Sequence, residues 1–336
     1  MMREPIFLKG VCKDYLWGGQ KLRELFGKES DSEILAESWE LSCHPDGCSV
    51  VMNGADKGLT LTEYIEKHGA ENILGAHCGR MENVPLIKLI DAKEPLSVQV
   101  HPDDAYARTH GDANGKTEMW YVLDAEEGAE LVYGVNRELT REEFRAHIED
   151  GTLEEILNYV PVKKGDVFFI PAGTLHAIGG GILIAEVQQN SNLTYRVYDY
   201  NRRDAEGKLR ELHVEDAIQV TNLVPTVAEQ SCCNMADMET PWGRSRILCA
   251  CDYFVAVQEW VDHRVVRAGS ENVYHHFLIL EGEGVLETGG NVYPLKKGDS
   301  VLLPPIKGDY CIDGRLSYLS TFSLDAEEIE NKIMEE

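Results

Sequence analysis

Three stretches hold the residues best suited to chemistry: Gln99-Val-His101-Pro102, Lys116-Thr-Glu118, and Gly165-Asp-Val-Phe-Phe-Ile-Pro171-Ala-Gly173-Thr-Leu-His176. Gln99 and His101 lie two apart, so on a strand they share a face. The third stretch reads as a strand, a tight Pro/Gly turn and a histidine opening the next strand, an arrangement that aims an imidazole into a small barrel. Glu118 heads a hydrophobic, strand-like run over 119–123. Two histidines, a carboxylate and an amide oxygen make a divalent-metal shell with positions left for water or substrate. That is a catalytic type of site, not a closed structural one.

Strands are needed to place such groups, and strand-like runs bounded by Gly, Pro, Asn or Asp fill the chain, at 86–90, 96–100, 119–123, 167–170 and 182–188. Helical patterns are few. Thr140-Arg-Glu-Glu143 forms a capping box ahead of Phe144, Ile148, Leu153, Ile156 and Leu157, which predicts an interrupted helical pair over 138–158. Thr60-Leu-Thr-Glu63 opens a second helix through Tyr64 and Ile65, and the acidic tail from Asp325 predicts a last surface helix. Lys163-Lys-Gly-Asp-Val-Phe-Phe-Ile-Pro171 returns as Lys296-Lys-Gly-Asp-Ser-Val-Leu-Leu-Pro304, as two barrels on one duplicated plan would produce. The second copy has no histidine matching His176. His275 and His276 are adjacent and point to opposite faces, so the second barrel is expected to be metal-free. The polar segment 224–243, with two prolines, is the expected linker.

Composition narrows the function classes. Of 336 residues 43% are hydrophobic and 27% charged, as in an ordinary soluble protein. Fifty-eight acidic against 32 basic residues give a net charge of −26, a field that repels nucleic acid and anionic membranes, so neither is an expected partner. Nine scattered cysteines without a CxxC pair, no apolar leader and no stretch of membrane-spanning length point to a reduced, cytoplasmic protein. Cys249 and Cys251 read as packed strand residues rather than a second metal site.

The Gly-x5-Pro-x-Gly-x2-His pattern at 165–176 resembles the second signature of the cupin superfamily, although the glutamate comes 17 positions after His101 rather than close behind a histidine pair. The narrower pattern resembles type I phosphomannose isomerase in its shorter bacterial form. It is carried by Tyr15-Leu-Trp-Gly-Gly19, Ala36-Glu-Ser-Trp-Glu-Leu-Ser42, Pro95-Leu-Ser-Val-Gln-Val-His-Pro-Asp-Asp104, Gly115-Lys-Thr-Glu-Met-Trp-Tyr121, the stretch 171–181, and Gln188-Gln-Asn-Ser-Asn-Leu-Thr-Tyr-Arg-Val-Tyr-Asp-Tyr-Asn-Arg202. Carried over by position, the resemblance places zinc ligands at Gln99, His101, Glu118 and His176, one Zn2+ per chain. It places the catalytic arginine at Arg196, a proton-transfer lysine at Lys116, and phosphate-binding residues at Ser97 and Arg202. Longer members carry an aspartate four residues before the arginine, where this chain has Asn192.

The resemblance implies a mainly β bicupin of two barrel or jelly-roll lobes. Residues 1–230 form the metal-bearing lobe with its small helical insertion, and 231–336 form a degenerate second lobe. The implied activity is isomerisation of mannose-6-phosphate and fructose-6-phosphate through an enediol, by a monomer or weak homo-oligomer acting on a phosphorylated hexose. Aldose–ketose chemistry suits these residue types, since a metal polarises the carbonyl–hydroxyl pair and an arginine stabilises the enediolate. Lys88 joins Arg196, Arg202 and Lys116 as local positive charge for an anionic substrate, whereas Trp17 and Trp39 read as packing residues. A non-haem iron oxygenase and a non-catalytic sugar-phosphate-binding bicupin are the alternatives.

Overall fold

The structure, a computed structural model, describes residues 4–112, 114–203, 207–225 and 236–323. Every sheet is antiparallel. A six-stranded sheet runs in the order Val167–Ile170, Glu118–Ala125, Ile182–Gln188, Leu86–Ala92, Glu37–Leu41, Val11–Lys13. Opposite it lies a five-stranded sheet in the order Tyr195–Tyr198, Val98–Val100, His176–Ala177, Glu130–Val135, Leu157–Pro161. Together they make the first barrel. Strands His275–Thr288 and Asp309–Phe322 centre a ten-stranded sheet in the C-terminal lobe.

The long strands of the six-stranded sheet are apolar nearly throughout because both of their faces are covered. Ile90, Trp120, Val122 and Ile184 pack inside the first barrel. Ile87, Leu89, Met119, Ala185 and Val187 point the other way and share a core with Leu248, Phe254, Leu278 and Leu319 of the C-terminal lobe. The lobes are therefore stacked through one sheet's outer face.

Both capping boxes form. Thr60 and Glu63 open helix Leu61–His68, and Thr140 and Glu143 open helix Arg141–Glu149. The interrupted pair at 138–158 ends in a short 3-10 turn, Leu153–Ile156, rather than a second full helix. The internal echo is geometric as well as sequential. Asp166 accepts from the Lys163 N–H at 2.9 Å, and Asp299 accepts from the Lys296 N–H at 2.8 Å. Gly165 and Gly298 have φ of 92° and 89° in the two turns.

Two features depart from expectation. The linker read at 224–243 ends early, because Met238–Thr240 already pairs with Gly243–Ala250 in the C-terminal sheet; residues 226–235 and the tail from Asp325 lie outside the described residues. Strands Ile6–Lys9 and Val50–Val51, near the start of the chain, also belong to that ten-stranded sheet. No helix among the described residues is long and apolar enough to cross a membrane.

One glycine contact helps to hold the lobes in register. Gly75, at φ +78° inside helix Ala70–Cys78, kinks it where a Cβ would sit 2.0 Å from the Asn272 carbonyl oxygen. Gly75→Ala meets both a strained backbone and a backbone clash, so it should cost at least about 2 kcal/mol. A urea midpoint within error of the parent's would show that the contact yields freely.

Candidate active site

The register lines up two rows of side chains that face each other across the first barrel. In the six-stranded sheet Trp39 pairs with Lys88, Lys88 with Glu186, and Glu186 with Trp120. Glu118 pairs with Gln188 in the next row on the same face. In the five-stranded sheet Arg196 pairs with Gln99 and Gln99 with His176. His101 follows two residues beyond Gln99, so the strand period brings it to the same face.

His101, Glu118 and His176 converge with ligand atoms within 4.8 Å of one another, all three buried. Each imidazole is oriented by its rear nitrogen, with His101 Nδ1 2.8 Å from the Leu193 carbonyl and His176 Nδ1 2.8 Å from that of Thr174. A carbonyl accepts only, so Nδ1 carries the proton and each Nε2 presents a lone pair inward. Burial and the Lys116 charge keep both rings neutral, His101 well below the usual range and His176 at about 4 against the Thr174 bond. Glu118 Oε2 lies 3.5 Å from His101 Nε2 and Oε1 lies 3.4 Å from His176 Nε2. Gln99 approaches His176 Nε2 at 3.4 Å. A half-turn of its amide would bring the oxygen to that side and let the nitrogen donate to Ser97, now 3.5 Å from Oε1.

The donor set fits a divalent cation. Glu118 is fully buried, and neither of its oxygens has an aligned hydrogen-bond donor. Burial and the nearby Glu186 push its carboxyl up to about 7. Lys116 Nζ stands 2.8 Å from Glu118 Oε2 and 3.0 Å from His101 Nε2, an ion-pair approach without hydrogen-bond alignment to the carboxylate. A positive charge thus already sits against two of the inward-facing ligand atoms, and a divalent cation answers the same demand more fully.

Above the ligands opens a cavity of about 260 Å³, lined by Gln99, Lys116, Lys88, Ser97 and Arg196 among others. Lys88 is buried and points inward, 3.0 Å from Glu186 Oε1. Burial alone would lower it, but Glu186 and Glu37 outweigh that and hold it charged. Arg196 is half-buried; its Nη1 donates to the Glu211 carbonyl while its Nε has no partner. Burial and the Arg210 charge lower its pKa. Arg202 is not among the cavity-lining residues. Its nitrogens go to Asp199 and to the Pro95 carbonyl, and its guanidinium lies over the Tyr200 ring at 5.3 Å.

Similarity to known proteins follows the same outline. Residues 6–147 match the phosphomannose isomerase type I catalytic domain, and residues 245–323 match the mannose-6-phosphate isomerase cupin domain. The chain is 43% identical to mannose-6-phosphate isomerase ManA of Bacillus subtilis, over 94% of this chain and 97% of that protein. It is 40% identical to mannose-6-phosphate isomerase of Streptococcus mutans, over 96% and 99%. The chain belongs to the type I phosphomannose isomerase family. A solved mannose 6-phosphate isomerase from Bacillus subtilis superposes with a TM-score of 0.87 at 36% identity, covering 95% of this chain and 99% of that one.

Within this type I phosphomannose isomerase chain, spacing alone missed Glu186, Glu37 and Arg210, all on the cavity wall. Glu186 accepts from Lys88 and, at 2.9 Å, from Trp120 Nε1. Burial works against its charge, but Lys88 and Lys116 outweigh it and hold the carboxyl down to about 2. The available signal was a lone acid in the otherwise apolar run 182–187. Glu37 accepts from Trp39 Nε1 at 2.6 Å, and Trp39 is fully buried as a packing residue. Trp17, also packed, borders the cavity.

The second barrel is filled by Val261, Phe277, Ile279, Leu286, Val301, Leu303, Ile312 and Tyr318. His275 lies against the Phe277, Tyr310 and Phe322 rings, while His276 turns to Ser300 Oγ at 2.8 Å. Cys249 is buried in the core between the lobes and Cys251 packs against it, the packed placement read from the sequence. His275→Ala should therefore leave zinc content unchanged and turnover near the parent's. Stoichiometric loss of metal from that variant would mean that the site had been placed in the wrong lobe.

Proposed function

We propose that this chain interconverts mannose-6-phosphate and fructose-6-phosphate through an enediol, at one zinc ion held by Gln99, His101, Glu118 and His176. The supporting observation is a set of neutral imidazole lone pairs and an unsatisfied buried carboxylate beneath a cavity bordered by Lys116 and Arg196. Zinc, when bound, supplies Lewis-acid polarisation of the substrate's carbonyl and hydroxyl oxygens.

The chain's own residues supply the rest. From aldose to ketose the C2 proton leaves carbon and the C1 carbonyl oxygen gains one, giving the enediol; the C2 hydroxyl then loses its proton as C1 is protonated, which yields the ketose with no external redox partner. Lys116, on the cavity floor, is placed to move that proton between neighbouring atoms. Glu186, its carboxyl held low by Lys88 and Lys116, fixes and neutralises Lys88. Arg196 opposes Gln99 in register and offers its free Nε–H edge to negative charge developing on the enediolate oxygens. The 1–230 lobe carries this chemistry in a cytoplasmic enzyme, and the 231–336 lobe braces it.

The deciding experiment is a coupled assay of mannose-6-phosphate conversion with oxygen uptake and metal content followed in parallel. Expected are turnover without oxygen consumption, loss on chelation and recovery with zinc. Oxygen consumption would move the reading to an oxygenase. Tight sugar-phosphate binding without turnover by zinc-loaded protein would make it a binding bicupin.

A further inference from the structure

We propose that Arg210 is the residue that grips the substrate's phosphate, and that Arg202 is a positioning residue acting through Asp199; this rests on the isomerase reading above. The two arginines look interchangeable in sequence, since each sits in a polar loop after the Tyr195–Tyr198 strand. Their hydrogen bonding separates them.

Every nitrogen of Arg202 is engaged. Nε donates to the Asp199 carbonyl, Nη1 to the Pro95 carbonyl and Nη2 to the Asp199 carboxylate. Arg210 spends only one edge, with Nε donating to Asp199 Oδ2 at 2.7 Å and Nη2 donating to Oδ1. Its Nη1 has no partner among the described residues, and Arg210 lines the catalytic cavity whereas Arg202 does not. A guanidinium clamped along one edge by a carboxylate is pre-oriented, so its free donors lose little freedom on meeting an anion.

Charge and position agree. Asp199, only 5% exposed, is shared by Arg202 and Arg210, and those two hold it ionised against its burial. One carboxylate between two guanidinium groups leaves a net positive charge, and Arg196 adds another. At the opposite wall Lys88 is neutralised by Glu186 and Glu37, so the surplus charge lies at the arginine end. Arg196 pairs with Gln99 and Tyr198 pairs with Val98, which brings Asp199 to the Ser97 end of the strand. Ser97 lies two residues from the metal ligand Gln99, about 7 Å along a strand. That is comparable to the span from the reacting carbons of a hexose to the phosphate on its sixth carbon. Reacting carbons at Gln99 therefore direct the phosphate to Ser97 and Arg210.

The test compares Arg210→Gln, Arg210→Lys and Arg202→Gln with the parent zinc enzyme, reading KM for mannose-6-phosphate, kcat, and inhibition by inorganic phosphate. Removing a charge-assisted contact present in ground and transition states alike should raise KM and the phosphate inhibition constant of Arg210→Gln together, by roughly 10- to 100-fold, with kcat within about threefold. Arg210→Lys should recover part of both, because charge is kept and the fork is lost. Arg202→Gln should shift both constants by less than about fivefold while lowering the thermal midpoint, since loop bracing is what it removes. Unchanged constants in Arg210→Gln, or a larger loss in Arg202→Gln, overturns the proposal. If the parent binds inorganic phosphate through Arg210 yet fails to convert mannose-6-phosphate, the isomerase reading falls and the phosphate grip stands.

Discussion

His176→Ala should lose zinc and activity together. Its Nε2 lone pair faces the ligand cluster because Nδ1 is tied to the Thr174 carbonyl, and alanine supplies no replacement donor. Losing only an outer partner of a metal ligand already costs about 10- to 100-fold in affinity, so losing the ligand itself costs more. His101, tied to the Leu193 carbonyl in the same way, should behave alike when replaced. Elemental analysis should find about one zinc in the parent and next to none in either variant, with kcat/KM down by roughly 1000-fold or more. The parent's thermal midpoint should rise when zinc is added to chelated protein, because binding to the native state alone stabilises it. In His176→Ala that rise should vanish. Full activity in protein shown to be free of metal would refute the zinc assignment outright.

Arg196→Ala should be the second severe lesion, and of a different kind. The side chain is held by its Nη1 bond to the Glu211 carbonyl and by its backbone N–H bond to His213 Nδ1, which leaves Nε–H buried and unanswered. A buried donor without a partner is costly unless an acceptor arrives during the reaction. An oxyanion developing beside it is such an acceptor, and removing one donor of that type lowers kcat about 100-fold or more. Metal content should stay at the parent level, which distinguishes this defect from that of the histidine variants. Arg196→Lys should remain impaired, because the contact needs the planar fork as well as the charge. A defect confined to KM would make Arg196 a second phosphate anchor and remove it from the enediolate.

What the sequence revealed depended on the range of the interaction behind each feature. Both capping boxes were legible because a Thr and a Glu three residues on act within one turn. Gln99 and His101 were legible because the strand period alone puts them on one face. The second-barrel histidines were legible for the converse reason, since neighbours on a strand diverge. Glu186 was hidden, because only its pairing with Lys88, 98 residues away, tells an inward carboxylate from an acid on a strand rim. Arg210 was hidden for a subtler reason: Arg202 occupies the expected sequence position, and only the sharing of Asp199 reveals which guanidinium keeps free donors. The end of the linker was misjudged because Met238–Thr240 is polar and short, and pairing rather than hydrophobicity makes it a strand.

The first strand of the chain has a consequence for how the protein is made. Ile6–Lys9 pairs with Ser300–Leu303, Ile6 lying opposite Leu302. On the ribosome, that strand emerges long before its distant partner exists. Its edge meanwhile offers open N–H and C=O groups, the kind of template on which nascent chains pair wrongly. Closure of so long a loop belongs late in folding. A shortened gene that ends after the metal-bearing barrel would strand both Ile6–Lys9 and the apolar outer face of the six-stranded sheet without a partner. The C-terminal barrel is thereby indispensable to the lobe that carries the His101, Glu118 and His176 cluster.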